Sequence, residues 1–139
     1  MSRDSALAQA NAVPTSVTRA HAEHAIRTFL ASYAAKDVDT RIELFADDII
    51  FEDPAGAEPV RGKADLDSFF RATIGNGWDI AMESEKIIKS GNEALSFTRA
   101  EWGLSGTEPA RLTLVQNFAF DAAGKIIKLR IFFDETTIT

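Results

Sequence analysis

The chain has 139 residues, 45% hydrophobic and 26% charged, with no cysteine. That is the size and balance of one globular domain, and two independent cores would not fit. Thiol catalysis, disulfides and thiolate metal sites are excluded. Twenty-one acidic residues against fifteen basic ones leave a net charge of −6. No Lys/Arg cluster interrupts that balance, so a nucleic-acid partner is not expected. No apolar run approaches the roughly 18 residues of a membrane span, so no membrane partner is expected either.

Residues Met1 to Pro14 are small and polar, with no apolar stretch of the kind a secretory leader needs. They are expected to form a flexible tail ahead of a single domain over 15–139, and the expected compartment is the cytoplasm. From Val17 to Ala35 the residues Ile26, Phe29, Leu30, Tyr33 and Ala34 recur on one helical face. Thr15 or Ser16 is placed to cap that helix. A second, short helix starts near Asp37 or Asp39, with Val38, Ile42, Phe45 and Ala46 as its stripe. The run Ile49 to Asp53 reads as a strand, stopped by Pro54 and Gly56. After a loop from Ala55 to Gly62, a third helix spans Lys63 to Ile74, with Leu66, Phe69, Phe70 and Ile74 inward. Gly75-Asn76-Gly77 ends it.

Everything after Gly77 reads as strands: Ile80 to Lys89, Glu93 to Leu104, Leu112 to Phe120 and Ile126 to Phe133. Turns at Ser90-Gly91-Asn92, Ser105 to Pro109 and Asp121 to Gly124 separate them. Helices followed by hairpin-connected strands define an α+β fold with an antiparallel sheet. Alternation puts Leu129, Ile131 and Phe133 on the inner face of the last strand, and Leu112, Leu114, Gln116 and Phe118 on that of the strand before it. In the strand from Glu93 the set Leu95, Phe97, Arg99 and Glu101 is expected inward, because two large apolar residues lead it. Polar groups on apolar faces are kept for a reason, which singles out Gln116, Arg99 and Glu101. Asp53 follows Phe51 by two on the same face. It reads equally as a functional carboxylate or as a turn cap before Pro54.

The segment Phe45-Ala46-Asp47-Asp48-Ile49-Ile50-Phe51-Glu52-Asp53-Pro54-Ala55-Gly56 resembles the "ADD…EDPxG" segment of the ketosteroid isomerases, within the NTF2-like (SnoaL-like) superfamily. Val60-Arg61-Gly62-Lys63 leading into Phe69-Phe70, the turn Gly91-Asn92-Glu93-Ala94 and the hairpin Phe120 to Ile126 extend the resemblance over roughly Ala25 to Thr136. It implies a cone: three N-terminal helices packed in a curved antiparallel sheet around a deep apolar pocket. That pocket is expected to be lined by Phe29, Phe51, Phe70, Phe97, Leu114, Ile131 and Phe133. It implies Asp53 as general base, no cofactor, and a small apolar, aromatic or steroid-like substrate.

The family's oxyanion donors fall here on Phe29 and Gln116, and its supporting tyrosines on Phe45 and Phe70. Phe donates no hydrogen bond. Gln116, Arg99 and Tyr33 are therefore the expected polarising groups, with Glu101 as a second acid. Arg99-Ala100-Glu101 also resembles the Arg-x-Asp pair of limonene-type epoxide hydrolases, a runner-up reading along with lyase or dehydratase chemistry. A non-catalytic ligand-binding or assembly module is the rival from another class. His21 and His24 lack a third ligand at a fixed place, so no metal is expected. Finally, the strand residues left outside the core, with Trp102 and Phe132 as anchors, predict a homodimer through the sheet's outer face.

Overall fold

The computed structural model describes residues 2–139. Its helices are α1 (Arg3–Asn11), α2 (Arg19–Ala34), α3 (Val38–Ile42) and α4 (Lys63–Gly75). Its strands are β1 (Phe45–Glu52), β2 (Val60–Arg61), β3 (Trp78–Ser90), β4 (Glu93–Leu104), β5 (Ala110–Phe120) and β6 (Ile126–Phe132), followed by a 3₁₀ turn over Glu135–Thr137. The helix α1 forms where a tail is expected. Its alanines favour helix and the Ser2 side chain caps it, accepting from the Ser5 N–H at 3.1 Å, but it buries no residue. No helix among the described residues is long and apolar enough to cross a membrane.

Thr18, not Thr15 or Ser16, caps α2, accepting from the His21 N–H at 3.1 Å. Thr15 and Ser16 instead bind Asn92 in the β3–β4 turn, at 2.7 and 2.9 Å to its side-chain oxygen. Asp37 caps α3 through the Thr40 N–H. Phe45 and Ala46 belong to β1 and not to the short helix before it. The reverse turn before β6 packs against α2. Gly124 has φ +83°, and a Cβ there would meet the His21 ring at 2.7 Å. The His21 Nε2 lies 2.7 Å from the Gly124 carbonyl oxygen, so this histidine is a structural clasp.

The six strands form one sheet in the order β2-β1-β6-β5-β4-β3. It is mixed, not antiparallel throughout: β1 runs parallel to β6. The long connection between those two strands imposes no hairpin geometry, so direction is free there, whereas β3 to β6 are joined by short turns and must alternate. A bulge between Ser84 and Lys86 shifts the phase of β3. Helices α2, α3 and α4 fill the concave side. Ile26, Phe29 and Leu30 of α2 and Leu66 and Phe70 of α4 meet Phe45, Ile49, Phe51, Leu114, Phe118 and Leu129 in one core. Each fully buried Phe contributes roughly 1.5–3 kcal/mol of transfer free energy.

The inner faces of β5 and β6 are those the alternation predicts: Leu112, Leu114, Gln116 and Phe118, and Leu129 and Ile131, are buried. The face of β4 is the reverse of the prediction. Ala94, Ser96, Thr98 and Ala100 are buried, while Phe97, Arg99 and Glu101 are exposed. Small residues on β4 make room beside the inner helices. Their hydroxyls are satisfied by one another, Ser84 to Ser96 and Ser96 to Thr98 at 2.8 Å each, ending at Gln116, whose Oε1 accepts from Thr98 at 2.7 Å.

Candidate active site

Asp53 stands just past the end of β1, held by two ties of the turn that follows. The Ala55 N–H donates to the Ile131 carbonyl at 2.7 Å. The Gly56 N–H donates to Glu52 Oε1 at 2.9 Å, and Glu52 Oε2 lies 3.2 Å from Arg130 Nε. The Gly56 N–H is the main reason the Glu52 carboxyl is held below its usual range, with Arg130 adding to it. Glu52 therefore stays ionised and fixes the turn. Its neighbour differs: burial pushes the Asp53 carboxyl from an ordinary 3.8 up to about 6.

Asp53 lines a mainly apolar pocket of ≈490 Å³ between α2, α4 and the inner face of the sheet. Tyr33 enters the same pocket from α2, and Trp78, Ile80, Met82, Trp102, Ile131 and Phe133 supply its apolar wall. Trp102, expected on the outer face, is part of this wall and packs edge-on against Phe133 at 5.2 Å. A larger concavity, ≈700 Å³, is an open groove bordered by Arg99, Glu101, Arg111 and the C-terminal threonines, and includes neither Asp53 nor Tyr33.

Of the residues expected at the site, Asp53, Tyr33, Ile131 and Phe133 converge. Gln116 is fully buried and does not line the pocket; it sits behind two wall residues, opposite Ile131 in the sheet and with its Nε2 3.6 Å from Met82 Sδ. Phe29, Phe51, Phe70 and Leu114 are core residues behind the wall. Three residues are misplaced by the reversed face of β4. Phe97 lies on the outer surface. Arg99 pairs there with Glu83 and Glu85 at 3.2 and 3.1 Å, its side chain 61% exposed. Glu101 pairs with Arg111 at 3.3 Å. Arg99 and Glu101 therefore form no inward pair, and the epoxide-hydrolase reading loses the residues that motivated it.

Burial raises the Tyr33 hydroxyl above the usual tyrosine range; Arg41 opposes that rise and Asp53 adds to it. A neutral phenol next to a base that ionises near 6 gives the pocket a donor and a proton acceptor at neutral pH. Sequence reasoning missed Arg41. It is 1% exposed, with its guanidinium carbon 3.6 Å from the Tyr33 ring centroid and 4.6 Å from that of Phe70. Its position three residues after Val38, inside the apolar stripe of α3, was the available signal.

A curved sheet closed on its concave side by three helices, with a carboxylate lining an apolar pocket, is the NTF2-like architecture. The chain belongs to the SnoaL-like domain family, whose model matches residues 26–129. It is 27% identical over 114 residues to a steroid Δ-isomerase of Nocardioides simplex, covering 82% of this chain and 90% of that protein. Among solved structures it resembles the Δ5-3-ketosteroid isomerase of a Mycobacterium species, with TM-score 0.75, 26% identity, and 86% and 97% of the two chains covered. A computationally designed 17-OHP binder shares the fold, with TM-score 0.77 at 22% identity over 86% of this chain and 97% of the binder.

Proposed function

We propose that the chain is a cofactor-independent isomerase acting on a small apolar ketone of the steroid class. The carrying observation is that Asp53 and Tyr33 line one apolar pocket, with the Asp53 carboxyl raised to about 6. A pocket of ≈490 Å³ lies within the usual range for a drug-sized ligand. The isomerase relatives support the substrate class.

In this reading the Asp53 carboxylate removes a proton from the carbon next to the substrate carbonyl. The electron pair moves into the carbonyl, whose oxygen becomes an enolate oxygen. The Tyr33 hydroxyl donates to that oxygen. The proton held on Asp53 then returns to the far carbon of the conjugated system, and the double bond has moved with no net change in atoms. A base near pKa 6 is ionised at neutral pH yet retains affinity for the proton it must carry. The apolar wall excludes water and strengthens the donor.

The direct test is turnover of a Δ5-3-ketosteroid, followed as appearance of the conjugated ketone. Wild type should convert it, and Asp53→Asn should bind it without converting it. Binding without turnover in wild type would leave the ligand-binding module as the correct reading.

A second copy of the chain is the partner we infer for the sheet's outer face. The anchors are Phe97 and Phe132, which replace the expected pair Trp102 and Phe132. Both rings are about two-fifths exposed, and Ile88 is similarly open beside them.

A further inference from the structure

Arg41 is the costliest side chain in the core, and no ion pair explains it. The guanidinium is buried, yet among the described residues no carboxylate lies within ion-pairing distance; its bonds go to Ser32, with Nε to Oγ at 2.7 Å and a terminal N–H to the backbone oxygen at 3.1 Å. Burying a cation without a counter-charge is expensive, and a Met or Leu would fill the same space at no such cost. Burial lowers the Arg41 pKa accordingly. Asp37, whose charge acts on Arg41 from a distance, is occupied on the surface as the cap of α3.

The charge has one distinctive target. Ser32 holds the guanidinium rigidly, because Ser32 Oγ also donates to the Phe29 carbonyl at 2.5 Å. So held, the Arg41 guanidinium lies over the Tyr33 ring and, further off, over that of Phe70, the two rings being nearly perpendicular. Tyr33 lines the Asp53 pocket. The other charged groups around Tyr33 are Asp53 in the pocket, and Lys36, Asp79 and Glu101 in a smaller cleft on its far side. Lys36 and Asp79 are paired at 2.6 Å, and Glu101 is paired with Arg111. Among the described residues, Arg41 is thus the cation near Tyr33 that no carboxylate meets in an ion pair.

We infer that Arg41 is a positioning residue for the Tyr33 hydroxyl: its buried guanidinium, stacked on the phenol ring, fixes the ring and makes the hydroxyl a stronger donor to an oxyanion in the pocket. The inference rests on the reading of Tyr33 as the oxyanion donor. A cation over the ring favours electron density moving onto the phenolic oxygen, and in a water-poor core the effect is weakly screened. It offsets part of what burial and Asp53 do in the opposite direction.

The chain contains a single tyrosine, so a tyrosine label reports Tyr33 alone and needs no substrate. A tyrosine carrying several ring fluorines, incorporated at that position, ionises at much lower pH than tyrosine itself and so offsets the rise that burial causes. Its titration is then followed by fluorine NMR in wild type, Arg41→Met and Arg41→Lys. Arg41→Met should titrate higher than wild type by roughly one pH unit or more, with Arg41→Lys in between. On a Δ5-3-ketosteroid, Arg41→Met should lower kcat roughly tenfold with little change in KM, and the low-pH limb set by Asp53 should not move. An unchanged titration in folded Arg41→Met overturns the inference. Loss of the fold in both variants also overturns it, because it makes Arg41 a packing residue. A shifted titration with unchanged turnover supports the electrostatic coupling and removes Tyr33 from the reaction, so the two readings fail separately.

Discussion

Phe29 and Tyr33 lie one turn apart on α2, ring edge to ring face, with centroids 5.2 Å apart and an interplanar angle of 77°. Phe29 is completely buried and also meets Phe45, Phe70 and Phe118. The position where the resemblance places a donor is therefore a hydrocarbon anchor, and the hydroxyl has moved one turn along the same face. Tyr33→Phe keeps the ring, the stack on Phe29 and the Arg41 contact, and removes only the donor. It should lower kcat by ~10²–10³ with a melting temperature close to wild type. Parallel steady-state kinetics and thermal melts check this; a kcat within threefold of wild type would exclude Tyr33 as the oxyanion donor.

The raised pKa of Asp53 makes a prediction for activity and one for stability. Its carboxyl goes from 3.8 to about 6 on folding through burial. The proposed role as base requires an ionised Asp53, so kcat/KM should rise between pH 5 and pH 7 with a midpoint near that value. For stability the sign is opposite. A carboxyl raised on folding stabilises the native state below the unfolded pKa, and that contribution is lost as pH rises through the folded pKa. Asp53→Asn should therefore be more stable than wild type at pH 8, by on the order of 2 kcal/mol, with the gain disappearing toward pH 4. It should also lose ~10²–10⁴ in kcat. Chemical denaturation of both proteins at the two pH values measures the crossover.

How far the sequence revealed this site depended on how strictly each strand alternates. In β5 and β6 most of the large apolar residues fall on one face, with Val115 and Phe132 on the other, so Leu114, Phe118, Leu129 and Ile131 were legible. In β4 both faces are mixed. Leu95 and Phe97 sit on an outer face that is itself apolar, and the inner face is made of Ala94, Ser96, Thr98 and Ala100, which read as surface residues. That one reversal moved Arg99 and Glu101 inward and Trp102 outward. Asp53 was legible because Phe51 fixes its face and the Glu-Asp-Pro motif marks its turn. Arg41 was not, because an arginine on a short helix ordinarily reads as solvated and its place in the apolar stripe of α3 does not by itself outweigh that; its burial and its stack on Tyr33 do. The helix α1 escaped notice for a simpler reason: it buries nothing, so it has no apolar period to find.

Arg99 sits across from Glu83 and Glu85 on the outer face of the sheet, with more than half of each side chain exposed. Exposed pairs of this kind are worth ~0–1 kcal/mol because solvent screens them and ordering long side chains costs entropy. Arg99→Met should therefore destabilise by less than ~1 kcal/mol. Glu101→Leu should do the same, and the two effects should add, since their partners differ. Neither should change kcat/KM. A loss of ~3–5 kcal/mol on removing either charge is the signature of a buried partner and would contradict this placement.

Phe97, Val115 and Phe132 stand in one row across β4, β5 and β6, each directly opposite the next. The neighbouring row brings Ile88 opposite Leu95. Around this apolar centre lie charges of both signs, with Glu83, Arg99, Glu101 and Arg111 on one side and Lys128 and Arg130 on the other. An apolar centre with a mixed-charge rim suits a two-fold interface, because a second copy turned through 180° can set its acids against these bases. Wild type should be a dimer at micromolar concentration. Phe97→Lys and Phe132→Lys each place a charge at the centre and should weaken association by about 2 kcal/mol or more. Trp102→Lys is the control that separates this face from the pocket: it should damage ligand binding and leave the dimer intact. Light scattering across a dilution series reads all four proteins. A wild type that stays monomeric at high micromolar concentration removes the interface, and dissociation by Trp102→Lys in a folded protein, with none by Phe97→Lys, would move it to another surface.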